Sequence, residues 1–167
     1  MSDGATNQVD RTVEWEALRE KHLRPHADRP VSNGRGVHHV VFISSDVERT
    51  IEFYQGILGF PLTELFENRD YPGSTHFFFD IGGHNLLGFF DFPGLGLGPY
   101  AEVLGGLHHL AISVEPARHA ELRKRLEDAG VTIDFDFETS IYFTGPDGER
   151  IELIADELGT MYGQDVS

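Results

Sequence analysis

Two histidine pairs and one glutamate carry the chemical interest of this sequence. His38-His39 open the run G-V-H-H-V-V-F-I-S-S-D (36–46), and His108-His109 open G-L-H-H-L-A-I-S-V-E-P (106–116). The runs align without a gap at an offset of 70 residues, Gly36 on Gly106 and His39 on His109. Each leads into a helix-like stretch ending in Leu-Gly or Ala-Gly, which suggests duplication of one structural unit. Glu152 stands in the apolar run I-E-L-I, where a carboxylate is costly to bury unless a cation pairs with it. Two strand-borne histidines and a strand-borne glutamate, drawn from duplicated halves, would converge as a two-histidine, one-carboxylate site. With no cysteine in the chain, the donors are nitrogen and oxygen, which suit Fe(II), Mn(II), Ni(II) or Zn(II).

The elements around these residues follow from pattern. Val37 to Ser45 reads as a strand, with His39, Val41 and Ile43 on one face and His38, Val40 and Phe42 on the other. Asp46 is a helix N-cap for Val47 to Ile57, and Gly59 ends that helix. Strands follow at 61–67, 74–81 and, after a Gly82-Gly83 turn, 84–90, so the unit is β-α-β-β-β. A Gly/Pro-rich connector covers 91–106. The second copy has strands at 107–114, 131–137, 140–144 and 149–154, with a helix over 116–129 that places Pro116 in its first turn. Pro146-Asp147-Gly148 signals a three-residue hairpin loop with Gly in the left-handed position. That loop pairs Gly145 with Glu149, so paired numbers sum to 294 and Tyr142 faces Glu152. Residues 1–12 read as a tail, 13–23 as a short amphipathic helix and 24–36 as a linker. The core domain spans 36–156, with module 1 over 36–92 and module 2 over 106–156, and 157–167 forms a C-terminal tail.

The 167 residues suit one domain with a real core, and 40% hydrophobic content with 13 Phe fits a β-rich protein. Thirteen basic against 28 acidic residues give a net charge of −15, the opposite of a footprint for nucleic acid or an anionic membrane. Neither a signal peptide nor a membrane-spanning run is evident, which predicts a cytoplasmic location.

Three motifs together resemble the vicinal oxygen chelate superfamily of glyoxalase I, fosfomycin and bleomycin resistance proteins and type I extradiol dioxygenases. They are H-V-V-F-I-S-S-D-V-E-R-T-I-E-F-Y-Q-G-I-L-G-F (39–60), H-L-A-I-S-V (109–114) and P-D-G-E-R-I-E-L (146–153). The resemblance implies an α+β fold of two βαβββ modules, each an incomplete barrel, around a metal-binding cleft. It selects His39 over His38 by its spacing of seven residues to Asp46, and makes His39, His109 and Glu152 the metal ligands. The fourth carboxylate ligand of glyoxalase-like members would fall at Gly88, so the site resembles the three-ligand extradiol type, with Fe(II) favoured. Ring-cleaving members keep a Tyr ten residues before the ligand Glu; Tyr142 matches and is the expected catalytic hydrogen-bond donor. Their Asp-His-Gly is replaced by D-F-E-T (136–139), which leaves His84 and His76 as candidates beside the substrate. The resemblance also implies a small-molecule substrate with vicinal oxygens, O2 as co-substrate and a homodimer. The 16-residue connector makes pairing of the two modules within one chain the simpler expectation. A glyoxalase-type lyase or isomerase using Zn(II) or Ni(II), or a metabolite- or drug-binding resistance protein, are the alternatives.

Overall fold

A computed structural model describes residues 9–161 and 163–166. The first eight residues of the expected tail, with Tyr162 and Ser167, lie outside the described residues. The chain divides into two units, 1–36 and 37–167. The first contains helix α1 (Thr12–His22) and a single 3-10 turn at His26–Asp28. No residue of α1 is buried; Val13, Trp15 and Leu18 are all exposed.

The second unit carries the predicted duplication. Module 1 comprises β1 (His39–Ser44), α2 (Val47–Ile51), β2 (Leu62–Glu67), β3 (Thr75–Asp80) and β4 (Leu86–Asp91). Module 2 comprises β5 (Leu110–Ser113), α3 (Pro116–Asp128), β6 (Ile133–Asp136), β7 (Ser140–Thr144) and β8 (Arg150–Ile154). A short hairpin of β9 (Thr160–Met161) and β10 (Gln164–Asp165) follows. Each module forms its own mixed four-stranded sheet, in the order β1-β4-β3-β2 and β5-β8-β7-β6. The first strand of each pairs in parallel with the last, and the other pairs are antiparallel. The fold is α+β, and neither sheet closes into a barrel.

Local chemistry explains the boundaries. The Asp46 side chain accepts from the Arg49 amide at 3.0 Å, the N-cap bond expected of it. The α2 helix then widens into a π turn at Glu52–Ile57, where Phe53 and Tyr54 are buried side by side. The β7–β8 hairpin has the predicted register, from Ser140↔Ile154 through Tyr142↔Glu152 to Thr144↔Arg150. Its turn closes with Gly145 N–H to Glu149 O at 2.8 Å, and Gly148 sits at φ 91° as the turn requires.

The strand ends at two of the candidate residues differ from the sequence reading. His84 lies not in β4 but in the turn before it, at φ 62°. His109 immediately precedes β5 rather than lying inside it.

Strand alternation decides which faces are buried. Phe77, Phe79, Leu87 and Phe89 of the first sheet, and Ile112, Ile141, Phe143, Ile151 and Leu153 of the second, belong to one hydrophobic cluster with Phe53 and Tyr54 of the α2 turn and Leu122 and Leu126 of α3. Phe53 meets Phe143 of module 2 at 6.2 Å between ring centroids, while its neighbour Tyr54 lies 5.0 Å from Phe89 of module 1. Each such fully buried ring contributes roughly 1.5–3 kcal/mol, so this aromatic cluster binds the modules together. Polar contacts reinforce it. Asp147 accepts from the Ser45 amide and hydroxyl at 2.9 and 2.5 Å and from Arg49 at 2.8 Å, and the buried Tyr54 hydroxyl donates to Glu149 at 2.7 Å. The two sheets therefore share a core through one face each, and their opposite faces carry the candidate chemistry.

Candidate metal centre

On the open face of module 2, β5 and the β7–β8 hairpin bring three of the sequence-predicted residues together. Glu152 pairs with Ala111 on one side and Tyr142 on the other. Its carboxylate is almost fully buried, at 6% exposure. His109 Nε2 lies 3.0 Å from one Glu152 oxygen, and the other oxygen accepts from the Ser140 hydroxyl. The His109 and Tyr142 rings meet edge to face with centroids 5.3 Å apart. Phe135 and Phe137 stand at 6.1 and 6.2 Å from the Tyr142 ring, each nearly perpendicular to it. Ser140 was not singled out from sequence, although the hairpin register already places it on the Tyr142 face.

His39 occupies the matching position on module 1 but stands apart from this cluster. Its ring lies 6.1 Å from Phe78, edge to face. Among the described residues no group of three or more His, Cys, Asp and Glu is placed to hold a metal ion. A single chain therefore unites His109 and Glu152, with Tyr142 beside them, and does not bring His39 to them. The module pairing within one chain expected from the connector joins the sheets through their buried faces, which leaves the donor-bearing faces separate.

Both histidine pairs adopt one geometry. His38 Nδ1 is 2.8 Å from His39 Nδ1, and His108 Nδ1 is 2.7 Å from His109 Nδ1. Strand alternation had assigned the members of each pair to opposite faces. The pleat does not govern His38 or His108, because both precede their strands. Each inner histidine thus has its Nδ1 engaged by its neighbour, which leaves Nε2 as the outward donor atom. His108 is further held from outside, its Nε2 3.6 Å from Glu102, which also pairs with Arg150 at 2.6 Å.

The remaining candidates are in module 1. His76 packs against Phe78 and Phe90, with ring centroids 4.2 and 4.1 Å away, and its Nε2 is buried without a hydrogen-bond partner. Burial, then the charge of His39, lowers its pKa, which favours the neutral ring. His84 is exposed in its turn. Gly88 lies opposite Val41 and Phe78. A Cβ there would sit 2.9 Å from a Phe78 ring carbon and 3.2 Å from Val41 Cγ2. The space in which glyoxalase-like proteins would carry a fourth ligand is filled by the Phe78 ring.

These features define a protein of two repeated modules, with histidine and carboxylate donors on the sheet faces that point away from a core shared with α2 and α3. The chain belongs to the glyoxalase/bleomycin resistance protein/dioxygenase superfamily, whose family model matches residues 36–153. A relative in Bacillus subtilis, named "Putative ring-cleaving dioxygenase MhqE", is 31% identical over 104 residues, 59% of this chain and 33% of that one. The chain spans only 33–42% of the length of the curated relatives it matches. A glyoxylase/bleomycin resistance protein/dioxygenase domain from Frankia superposes with a TM-score of 0.65 at 22% identity, covering 75% of this chain and all of that one. A fosfomycin resistance protein FosX variant from Listeria monocytogenes, solved with Mn(II) and dihydroxypropylphosphonic acid, gives 0.55 at 22% identity, over 74% of this chain and 94% of that one. Members of the superfamily thus include a divalent-metal protein with a small-molecule ligand. Among the described residues no helix is long and apolar enough to cross a membrane.

Proposed function

We propose that the protein is an Fe(II)-dependent dioxygenase of the extradiol type acting on a catechol-like ring, with His39, His109 and Glu152 as metal ligands. One observation carries this reading: the buried Glu152 carboxylate, His109 Nε2 and the Tyr142 ring form one cluster, with the tyrosine across the hairpin from the carboxylate. The nitrogen and oxygen donors suit Fe(II), and Mn(II), Zn(II) or Ni(II) are compatible with the same set. When bound, the metal supplies a common centre for the substrate's vicinal oxygens and for O2. The protein side chains do the rest. Ser140 fixes one carboxylate oxygen of Glu152 and leaves the other toward His109. The Tyr142 hydroxyl orients a substrate hydroxyl and holds its proton. Phe135 and Phe137 form an apolar wall that receives an aromatic ring and excludes water. The filled space at Gly88 favours this three-ligand reading over the four-ligand lyase. The protein acts as a homodimer in the cytoplasm.

The test is O2 uptake by protein reconstituted anaerobically with Fe(II), against a panel of catechols. Uptake matched by a new ring-opened chromophore is expected, and Tyr142→Phe should lower turnover by about 10²-fold or more with iron content unchanged. Iron-loaded protein that consumes no O2 with any catechol would overturn ring cleavage.

A further inference from the structure

Basic side chains are outnumbered in this chain, 13 against 28 acidic ones, and one of them is placed unlike the rest. Among the described residues Arg150 is the only lysine or arginine carried by a strand; the others lie on helices, turns and loops. The hairpin register fixes where it points. Arg150 pairs with Thr144, in the row next to Tyr142 and Glu152 on their own face. Ile151 and Leu153 are buried in the core, so alternation puts Arg150 and Glu152 together on the open side. Residues two apart on a strand are separated by about 6.6 Å. That is comparable to the span from the hydroxyl pair of a catechol to an acidic group on the far side of its ring.

The guanidinium is held by one end. Its Nη1 lies 2.6 Å from a Glu102 oxygen and 2.9 Å from His108 Nε2. Nε and Nη2 donate to no other described residue, and the side chain is 30% exposed. The free Nε–Nη2 edge is the planar fork that matches a carboxylate with two parallel hydrogen bonds. A cavity of about 520 Å³ adjoins it, with Arg150, Phe135 and Thr144 in its lining. Of the two carboxylates there, Glu102 is paired with Arg150, and Asp134 accepts from the Thr144 hydroxyl at 3.0 Å. Phe135 also stands against the Tyr142 ring, so the cavity continues from the wall assigned above to the substrate ring.

We propose that Arg150 is a specificity-determining residue, whose free guanidinium edge binds a carboxylate or similar anionic substituent on the substrate ring. The substrate class is then an acidic catechol rather than a neutral one. This rests on the site proposed above and adds what that site selects. Glu102 and His108 hold the fork before the substrate arrives, so little side-chain freedom is lost on binding. With a net charge of −15 the whole chain repels anions at long range, so the selection is made locally, by this fork.

Anaerobic binding tests the proposal without turnover. Mn(II)-saturated protein is titrated with 3,4-dihydroxybenzoate and with its methyl ester, which keeps the ring and both hydroxyls and loses the charge. The acid should bind more tightly. Arg150→Met should raise the Kd of the acid by about 10- to 100-fold and move that of the ester far less. Arg150→Lys keeps the charge without the fork and should fall between wild type and Arg150→Met. Denaturant midpoints check that both variants are folded. If the wild type binds acid and ester alike, or Arg150→Met weakens both equally, Arg150 only ties the connector to β8 and the proposal is overturned. O2 uptake by Fe(II)-loaded protein separates this outcome from failure of the function above. Uptake indifferent to the substituent leaves ring cleavage standing without the anion fork. Arg150-dependent binding of the acid without uptake leaves the fork standing without ring cleavage. Protein that holds no Mn(II), or that binds neither compound, would sink both.

Discussion

The two modules are built on one frame and equipped differently. In module 1, Gly88 lies between Val41 and Phe78; in module 2, Glu152 lies between Ala111 and Tyr142. The inner histidine meets its aromatic neighbour edge to face in both, His39 with Phe78 and His109 with Tyr142. The other positions correspond equally well. His76 matches Ser140, and His84, in a left-handed conformation, matches Gly148. Glycine stands where the other module has glutamate, and phenylalanine where it has tyrosine. Duplication supplied the positions and the inner histidine of each module, and divergence added a carboxylate and a hydroxyl donor to one sheet, leaving the other with an imidazole on an aromatic floor.

The sharpest way to break this comparison is to remove what module 2 has and module 1 lacks. Glu152→Ala should abolish stoichiometric metal binding, read by metal analysis of purified protein. It also leaves the Ser140 hydroxyl without its acceptor, at a cost of about 1–3 kcal/mol in a denaturant titration. Full metal occupancy and activity in this variant would refute the ligand assignment.

What the modules share gives the next prediction. Both outer histidines contact the inner one through Nδ1, so both should act by fixing the ring and its tautomer. His38→Ala and His108→Ala should each weaken metal affinity by about 10- to 100-fold, measured by competition with a chelator, while leaving the folding transition in place. An unchanged affinity in both would show that the doublets are coincidental.

Much of this frame was legible in advance. The gapless match at the histidine runs exposed the duplication, and the Pro-Asp-Gly turn fixed the hairpin register residue by residue, because a tight turn leaves the pairing no freedom. The correspondence of Phe78 with Tyr142 was not legible. From β3 onward the matching positions are 64 apart rather than 70, since module 1 carries the longer β2–β3 loop. That six-residue slip hides the alignment of the later strands. His84 was read into a strand because a histidine seldom takes the left-handed turn position that Gly148 fills in the other copy. Nor does alternation along a strand say which other sheet its buried face meets. The separation of His39 from His109 and Glu152 is set by aromatic packing across modules, Phe53 on Phe143 above all, and the connector length that suggested pairing within the chain holds no such information.

Gly88 offers a way to sharpen the contrast. Its missing side chain is the space that Phe78 occupies. Gly88→Ala should therefore destabilise the fold by about 1–3 kcal/mol through overpacking, read from the midpoint of denaturant unfolding. The added loss of Phe78→Leu should recover part of it, since the two positions are coupled. Additive losses would show that the ring is not what excludes a side chain from this position.

The smallest expected effect separates the modules at the turns before their last strands. Module 2 has Glu149 there, and module 1 has Asn85, whose amide donates to the Gly83 carbonyl of its own turn at 3.2 Å. Burial raises the Glu149 pKa, partly offset by the hydrogen bonds it accepts from Tyr54 and from backbone amides. A carboxyl whose folded-state pKa exceeds its unfolded value favours the folded state most below the unfolded pKa, and that contribution is lost as pH rises through the folded value. Glu149 should therefore make stability fall on going from mildly acidic to neutral pH, whereas Asn85 contributes no such slope. Glu149→Gln costs about 1 kcal/mol through its imperfect bond to the Asp147 amide, yet it should remove that part of the pH dependence. Denaturant midpoints of both proteins across this pH range decide the point. Parallel profiles would mean that the carboxyl titrates as it does in the unfolded chain, and that its bond with Tyr54 fully compensates its burial.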